Sequence, residues 1–250
     1  MTVASSKDHL AERVARYVDT NSSLSDRNLN QTLNSIFGDK SKKIIIGGLV
    51  RDLARGGITN RQFDVDVVLD MSPEEVETIA YDSSAIPNRF GGFGTLKDGW
   101  KIDYWALSTT WAHRSGYSKL YFAVDIIDTT FFNVDAVAFD IKHRRVYMHD
   151  NYLDDLRDRL LEIELEPNPS IAGNLVRAVR RLKMWNYRCG PKLASFLKAH
   201  VNKDMFDHIV ETELKLYGKS YADQYDGPVD MLYDLIHRSS SNVDQLEFKL

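Results

Sequence analysis

The stretch from Lys43 to Leu69 constrains this chain more than any other. Lys43-Ile44-Ile45-Ile46 is a short apolar run that stops at Gly47-Gly48, as a buried strand does. Val50 to Arg55 then reads as a helix that ends at Gly56-Gly57. Gln62 to Leu69 largely alternates polar and apolar residues, the pattern of a strand with one buried face. Residues i and i+2 of a strand share a face, so Asp64 and Asp66 point one way while Phe63, Val65 and Val67 point the other. Two like charges at that spacing repel each other unless a cation lies between them.

The surrounding pattern places this stretch in an α+β region. Residues 7–18 and 25–37 predict two helices, with Ser23 or Ser25 as the cap of the second. Ser72 predicts another cap, with Pro73 at the first helical position and Glu74-Glu75 in the first turn. Strands are expected over 88–96, 100–107, 131–140 and 143–148. From Asp150 the pattern turns helical, over 152–163, 170–187, 191–201, 204–217 and 228–238. The expected organisation is a helical extension over 1–40, a head domain over 41–150 and a helical module over 151–250.

Composition narrows the class. The chain is 43% hydrophobic and 27% charged, and no apolar run approaches the roughly 20 residues that cross a bilayer. The charged first twenty residues read as neither a signal nor a transit peptide. Cys189 is the only cysteine, which excludes an intramolecular disulfide and suits a reducing cytoplasm. No HExxH pattern joins the seven histidines. The net charge of −4 argues against a chain that coats nucleic acid uniformly. Between Glu166 and Asp204, however, no acidic residue occurs, while Arg177, Arg180, Arg181, Lys183 and Arg188 all fall there. That is a local anion site or a solvated helix face.

The chemistry gathers around Asp64 and Asp66. Hard divalent ions take oxygen ligands, and two such ions about 3.5–4 Å apart activate a hydroxyl and steady a leaving pyrophosphate. Mg²⁺ is the expected ion, two of them, with Mn²⁺ as the substitute. Gly47 and Gly48 let a phosphate approach the backbone, and amides at a helix N-terminus bind it. Arg51 either reinforces that cradle or pairs with an acid inside the fold.

Several motifs in order carry a resemblance. Gly47-Gly48-Leu49-Val50-Arg51-Asp52 with Asp64-Val65-Asp66 resembles the head signature of class II tRNA nucleotidyltransferases (CCA-adding enzymes) and bacterial poly(A) polymerases, of the DNA polymerase β nucleotidyltransferase superfamily. Arg89-Phe90-Gly91-Gly92-Phe93-Gly94-Thr95 is similar to the family's RFGT segment with an insertion. Lys101-Ile102-Asp103-Tyr104 lies where a strand carries a further acid. Residues 132–140 are similar to FTINALAYD, residues 154–160 to the segment that opens the neck, and Val176-Arg177-Ala178-Val179-Arg180 to the LRAxR of the neck helix. The resemblance spans roughly residues 42–187. It implies a polymerase β-like head with a mixed or antiparallel sheet, followed by an all-helical neck. By the same implication Asp64 and Asp66 ligate metal, Asp103 is a third catalytic carboxylate, and Gly47, Gly48 and Arg51 hold the triphosphate. Arg177 and Arg180 would reach the base and phosphates, and Arg181, Lys183 and Arg188 would meet RNA.

Three departures bear on substrate. Thr129-Thr130-Phe131-Phe132 stands where the family has RRDF, and Asp135 stands where its nucleotide pocket has Asn. Ser170, Ile171 and Asn174 replace the neck's EDxxR template, so Asn174 becomes the candidate base reader, an amide that both donates and accepts. Residues 190–250 offer only a few helices for gripping tRNA. The expectation is therefore NMP transfer from an NTP to an RNA 3′ hydroxyl with altered base choice, a tRNA-like end being the acceptor. A protein partner or a second copy would supply missing grip. The alternatives are a protein or small-molecule acceptor, a signalling nucleotide as product, or an inactive nucleotide- or RNA-binding relative.

Overall fold

The computed structural model of the chain describes residues 2–20, 27–56, 64–88 and 90–237; Phe63, Arg89, Ser23 and Ser25 lie outside them. The chain divides into two compact units. One comprises Met1–Thr130 and Val134–Leu156, the other Phe131–Asn133 and Arg157–Leu250.

The first unit opens with α1 (Lys7–Thr20) and α2 (Leu29–Phe37). It continues through β1 (Lys43–Ile46), α3 (Gly48–Arg55), β2 (Asp64–Leu69) and α4 (Pro73–Asp82). Then come β3 (Ile86–Pro87), β4 (Phe93–Lys97), β5 (Trp100–Ala106) and α5 (Trp111–Arg114), and finally β6 (Val137–Asp140), β7 (Arg145–Met148) and α6 (Tyr152–Arg157). The seven strands form one sheet in the order β3-β4-β5-β2-β1-β6-β7. Only β2 and β5 run parallel; the other neighbours are antiparallel. This is the α+β organisation that the sequence pattern predicts, with the mixed sheet that the resemblance implies.

The sheet's two faces differ. Val65, Val67, Leu69, Ile102 and Tyr104 are buried, and the helices α3 and α4 pack on that side. Phe37 of α2 meets the Tyr104 ring edge-on at 5.0 Å. On the opposite face Ile44, Val68 and Ala138 pack under Leu120, Ala123 and Ile126. The remainder of that face carries Asp64, Asp66, Lys101 and Asp103. Alternation of strand residues thus divides the sheet into an apolar layer and a charged one.

Local chemistry explains where elements depart from expectation. Asn28 caps α2: its Oδ1 accepts from Gln31 N at 2.9 Å and Gln31 Oε1 accepts from Asn28 N at 3.0 Å, a reciprocal box. Ser72 and Glu75 form the expected box at α4. The strand expected over 88–96 is split, because Asn88 Oδ1 accepts from both Phe90 N and Gly92 N and turns the chain. The strand expected from 131 begins at Val137, since Asn133–Asp135 wind into a 3-10 turn. The helix expected over 152–163 stops at Arg157, where Arg159 takes a positive φ of 53°. The strand expected over 100–107 ends at Ala106, and the segment up to the strand expected from 131 holds α5 and 3-10 turns over Leu107–Thr109 and Ala123–Thr129.

In the second unit β8 (Leu160–Leu161) pairs in parallel with β9 (Arg188–Cys189), so the C-terminal half is not purely helical. Around them are α7 (Ile171–Met184), α8 (Pro191–His200), α9 (Lys203–Tyr217) and α10 (Pro228–His237). Ser170 caps α7, its Oγ accepting from Gly173 N at 3.2 Å. Glu213 of α9 is wholly buried. It accepts from Ser220 Oγ at 2.9 Å, Tyr221 N at 2.9 Å and Ala222 N at 3.0 Å, and pairs with Arg180 at 3.2 Å. No described helix is long and apolar enough to cross a membrane.

Removing one partner of a buried pair strands the other, at about 3–5 kcal/mol. Glu213→Ala should therefore destabilise the chain by roughly that amount, read as a lower midpoint in urea, whereas Lys203→Ala at an exposed pair should shift it by less than about 1 kcal/mol.

Candidate active site

Register brings three acids together. The parallel pairing of β2 with β5 sets Asp64 opposite Lys101 and Asp66 opposite Asp103. Ile46, the last residue of β1, lies opposite Asp66 on its other side, so the chain turns into Gly47 beside that carboxylate. Gly47 has φ 63° and ψ −123°, a conformation that only glycine adopts without strain. A Cβ there would lie 3.9 Å from Asp66 Oδ2. Gly47 is also the N-cap of α3 and offers no side chain to the first helical amides. Those amides therefore suit an anionic ligand.

Asp66 is half-buried at the centre of the trio. Desolvation first, then the charges of Asp103, Asp64 and Asp135, push its carboxyl up to about 7, with Arg51 opposing. Asp103 is also raised, by burial above all. Asp64 stays exposed and pairs with Lys101 Nζ at 2.9 Å. Arg51 donates to Asp52 Oδ1 at 2.8 Å and Oδ2 at 3.2 Å, and to Asp135 Oδ1 at 2.6 Å. Burial opposes its charge, but Asp135 and Asp52 outweigh burial and hold the guanidinium protonated.

Among the described residues no three His, Cys, Asp or Glu side chains form a ready-made metal cage. The donor set nonetheless suits a hard cation. Mg²⁺ is usually held by one or two carboxylates and completes its shell with water and phosphate oxygens. A desolvated carboxylate crowded by other acids, beside a glycine and a helix N-terminus, is where such an ion relieves the repulsion.

Solved structures share the fold. The Thermotoga maritima CCA-adding enzyme, solved in complex with tRNA, matches at 17% identity over 80% of this chain and 48% of that chain, with a TM-score of 0.50. The fold is the nucleotidyltransferase head fold of CCA-adding enzymes. The Bacillus stearothermophilus CCA-adding enzyme solved with CTP matches this head fold at 16% identity over 86% of this chain and 50% of that chain, with a TM-score of 0.52. A tRNA nucleotidyltransferase solved with a primer tRNA and an incoming ATP analog matches at 19% identity over 80% and 58%, with a TM-score of 0.50. The chain spans about half the length of the enzymes it matches. No protein-family model and no curated protein sequence matches it.

The remaining candidate residues sit in the second unit, and most are engaged there. Asn174 is buried at 2% exposure, and its Oδ1 accepts from Arg177 Nη2 at 2.7 Å. This burial runs against an open base-reading surface at Asn174. Arg177 itself is exposed. Arg180 pairs with Glu213 and stacks 3.6 Å over the Tyr217 ring. Arg181 is 8% exposed and packs over Phe132 and Trp185, which removes it from an RNA surface. Lys183 binds Tyr225 Oη at 2.7 Å and Asp234 at 3.0 Å, and Arg188 donates to Asp158 O at 3.2 Å. The basic run thus divides: Arg180, Arg181 and Lys183 are internal ties, while Arg177, Lys192, Lys198 and Lys203 stay exposed.

Two residues at the head-fold site escaped the sequence reading. Gly94 lies opposite Asp103, and a Cβ there would come within 2.7 Å of Asp103 Oδ1. Asn88 hydrogen-bonds to Asp103 while its Oδ1 is held by two backbone amides. The repeated spacing of Lys101-Ile102-Asp103 and Asp64-Val65-Asp66 was the available signal, but it becomes informative only once the strands are known to pair in parallel.

The Asp66 carboxyl has a stability consequence. The cation-free folded protein holds a proton at Asp66 up to about pH 7, while the unfolded chain releases it near 4. Stability should therefore fall as pH rises from about 4 to 7. Asp66→Asn should flatten that fall in thermal unfolding scans of chelator-treated protein; an unchanged slope would place the titration elsewhere.

Proposed function

We propose that this chain transfers a nucleoside monophosphate from an NTP to the 3′ hydroxyl of an RNA. The observation that carries this reading is the half-buried Asp66, flanked in register by Asp64 and Asp103 and abutted by Gly47 at a helix N-terminus. Similar folds have been solved with tRNA, with a primer tRNA and an ATP analog, and with CTP, which supports NTP and RNA as the substrate classes.

Asp64 and Asp66 would hold Mg²⁺, with Mn²⁺ able to substitute. When bound, such ions neutralise the triphosphate and stabilise charge on the entering and leaving oxygens. The chain's own groups do the rest. The amides of α3 receive the phosphates, with Gly47 giving them room. Arg51, oriented by Asp52, shares its charge between Asp135 and the triphosphate. Asp103 takes the proton of the attacking hydroxyl, a role suited to a carboxyl that burial raises above its ordinary value. The 3′ oxygen bonds to the α-phosphorus, the α–β bridging bond breaks, and pyrophosphate leaves.

A second reading has a small-molecule or protein acceptor. It draws on the internal engagement of Arg180, Arg181 and Lys183, which leaves the second unit fewer cations for a phosphate backbone. Salt separates the two readings, because RNA binding weakens steeply with ionic strength.

Incubation with total RNA, Mg²⁺ and each labelled NTP should place label in RNA, and one nucleotide should dominate. Asp64→Ala with Asp66→Ala should lower incorporation by on the order of a thousandfold or more. Label appearing in protein or in a small product instead would select the second reading.

A further inference from the structure

The charged face of the sheet does not end at the carboxylates. Ile86 lies opposite Gly94, Gly94 opposite Asp103, and Leu96 opposite Lys101. Directly opposed residues point to one side, so Ile86, Gly94 and Leu96 share the face of Asp103 and Asp66. At the other end of this face Ile44 and Val68 are covered by the 120–126 segment. At this end Ile86 is 74% exposed and Leu96 75% exposed. Scattered exposed aliphatics are ordinary, but these two flank a glycine and a candidate catalytic acid. A cavity of about 610 Å³ runs along this edge, lined by Ile86, Pro87, Asn88, Leu96, Lys101 and Asp103 among others. Its volume falls within the roughly 300–1,000 Å³ of small-ligand sites.

The lining says what fits. It contains one cation, Lys101, and one carboxylate, Asp103. A triphosphate would meet the carboxylate with too little opposing charge. A nucleoside has an apolar base face, a hydroxylated sugar and a single phosphate linking it to its strand. Gly94 carries no side chain, and Asp103 Oδ1 lies 2.7 Å from where a Cβ would be, so the carboxylate rests against the floor of the cavity between Ile86 and Leu96. Asn88, held by two amides, offers its N–H₂ at the sugar end.

We propose that this edge cavity holds the terminal nucleoside of the acceptor strand, with its base against Ile86 and Leu96, its 3′ hydroxyl at Asp103 and its phosphate near Lys101. The assignment rests on the transfer reaction proposed above and adds to it where the acceptor enters. Triphosphate and acceptor then approach Asp66 from opposite sides: the first from Gly47 and α3, the second from the sheet edge. Aliphatic contact with a base face does not discriminate between bases, so the site should accept any terminal base.

The test uses the full chain and RNA acceptors ending in either an intact or an abasic 3′ residue. Ile86→Ser combined with Leu96→Ser changes two exposed side chains and should leave the thermal midpoint in place. The wild type should show an acceptor KM on the order of tenfold lower for the intact end than for the abasic end. The double variant should raise the intact-end KM to the abasic value while the KM for NTP stays unchanged. Transfer to RNA with equal KM values for wild type and variant would overturn the cavity assignment and leave the reaction standing. No transfer to RNA by the wild type would overturn both.

Discussion

A carboxylate drawn partly out of water and crowded by like charges must be protonated, paired or bound to a cation, and Asp66 is half-buried among three other acids. Arg51 is the cation that opposes this charge, yet it is bound to Asp52 and Asp135 at 2.6–3.2 Å. The remaining imbalance is met by a proton when the site is alone, which is why the carboxyl sits near 7. The rest of the first unit serves this arrangement. The parallel β2–β5 pair fixes Asp66 beside Asp103, and the helices on the opposite face anchor the strands through Val65, Val67, Ile102 and Tyr104.

Backbone conformation sets the space around the acids. Gly47 turns the chain at φ 63° next to Asp66, and Gly94 leaves room for the Asp103 carboxylate. A side chain at Gly94 would crowd the Asp103 carboxylate, and one at Gly47 would strain the backbone turn. Negative charge is thus concentrated on one side of the sheet, while the other side is apolar. In the second unit charge does different work. Arg180, Arg181 and Lys183 join α7 to α9, Phe132 and α10 through Glu213, aromatic rings and Asp234. Their stems and forks are packing elements as much as charges.

Much of the first unit was legible because its signals are local. The Ile44–Ile46 run, the alternation through Asp64–Leu69 and the Ser72-Pro73-Glu75 start of α4 each follow from a few adjacent residues. What escaped depended on contacts distant in sequence. Asn88 looked like a strand residue until its side chain closed a turn onto Phe90 and Gly92. The helix from Tyr152 ended early because Leu160–Leu161 finds a partner in Arg188–Cys189, nearly thirty residues on. Asp64 and Asp66 were found from spacing, but Lys101 and Gly94 gain meaning only from register. The ties of α7 are hidden for the same reason: Glu213 and Asp234, the partners of Arg180 and Lys183, lie far along the chain, where composition does not connect them.

The central claim is that the Asp64–Asp66 face is a divalent-cation site completed by a triphosphate. Mn²⁺ titration followed by electron paramagnetic resonance at pH 8 tests it directly, with wild type and Asp66→Asn, each with and without an unreactive NTP analogue. The account predicts that wild type removes free Mn²⁺ signal, that the analogue strengthens the effect, and that Asp66→Asn loses it. Equal Mn²⁺ binding by the two proteins would contradict the account.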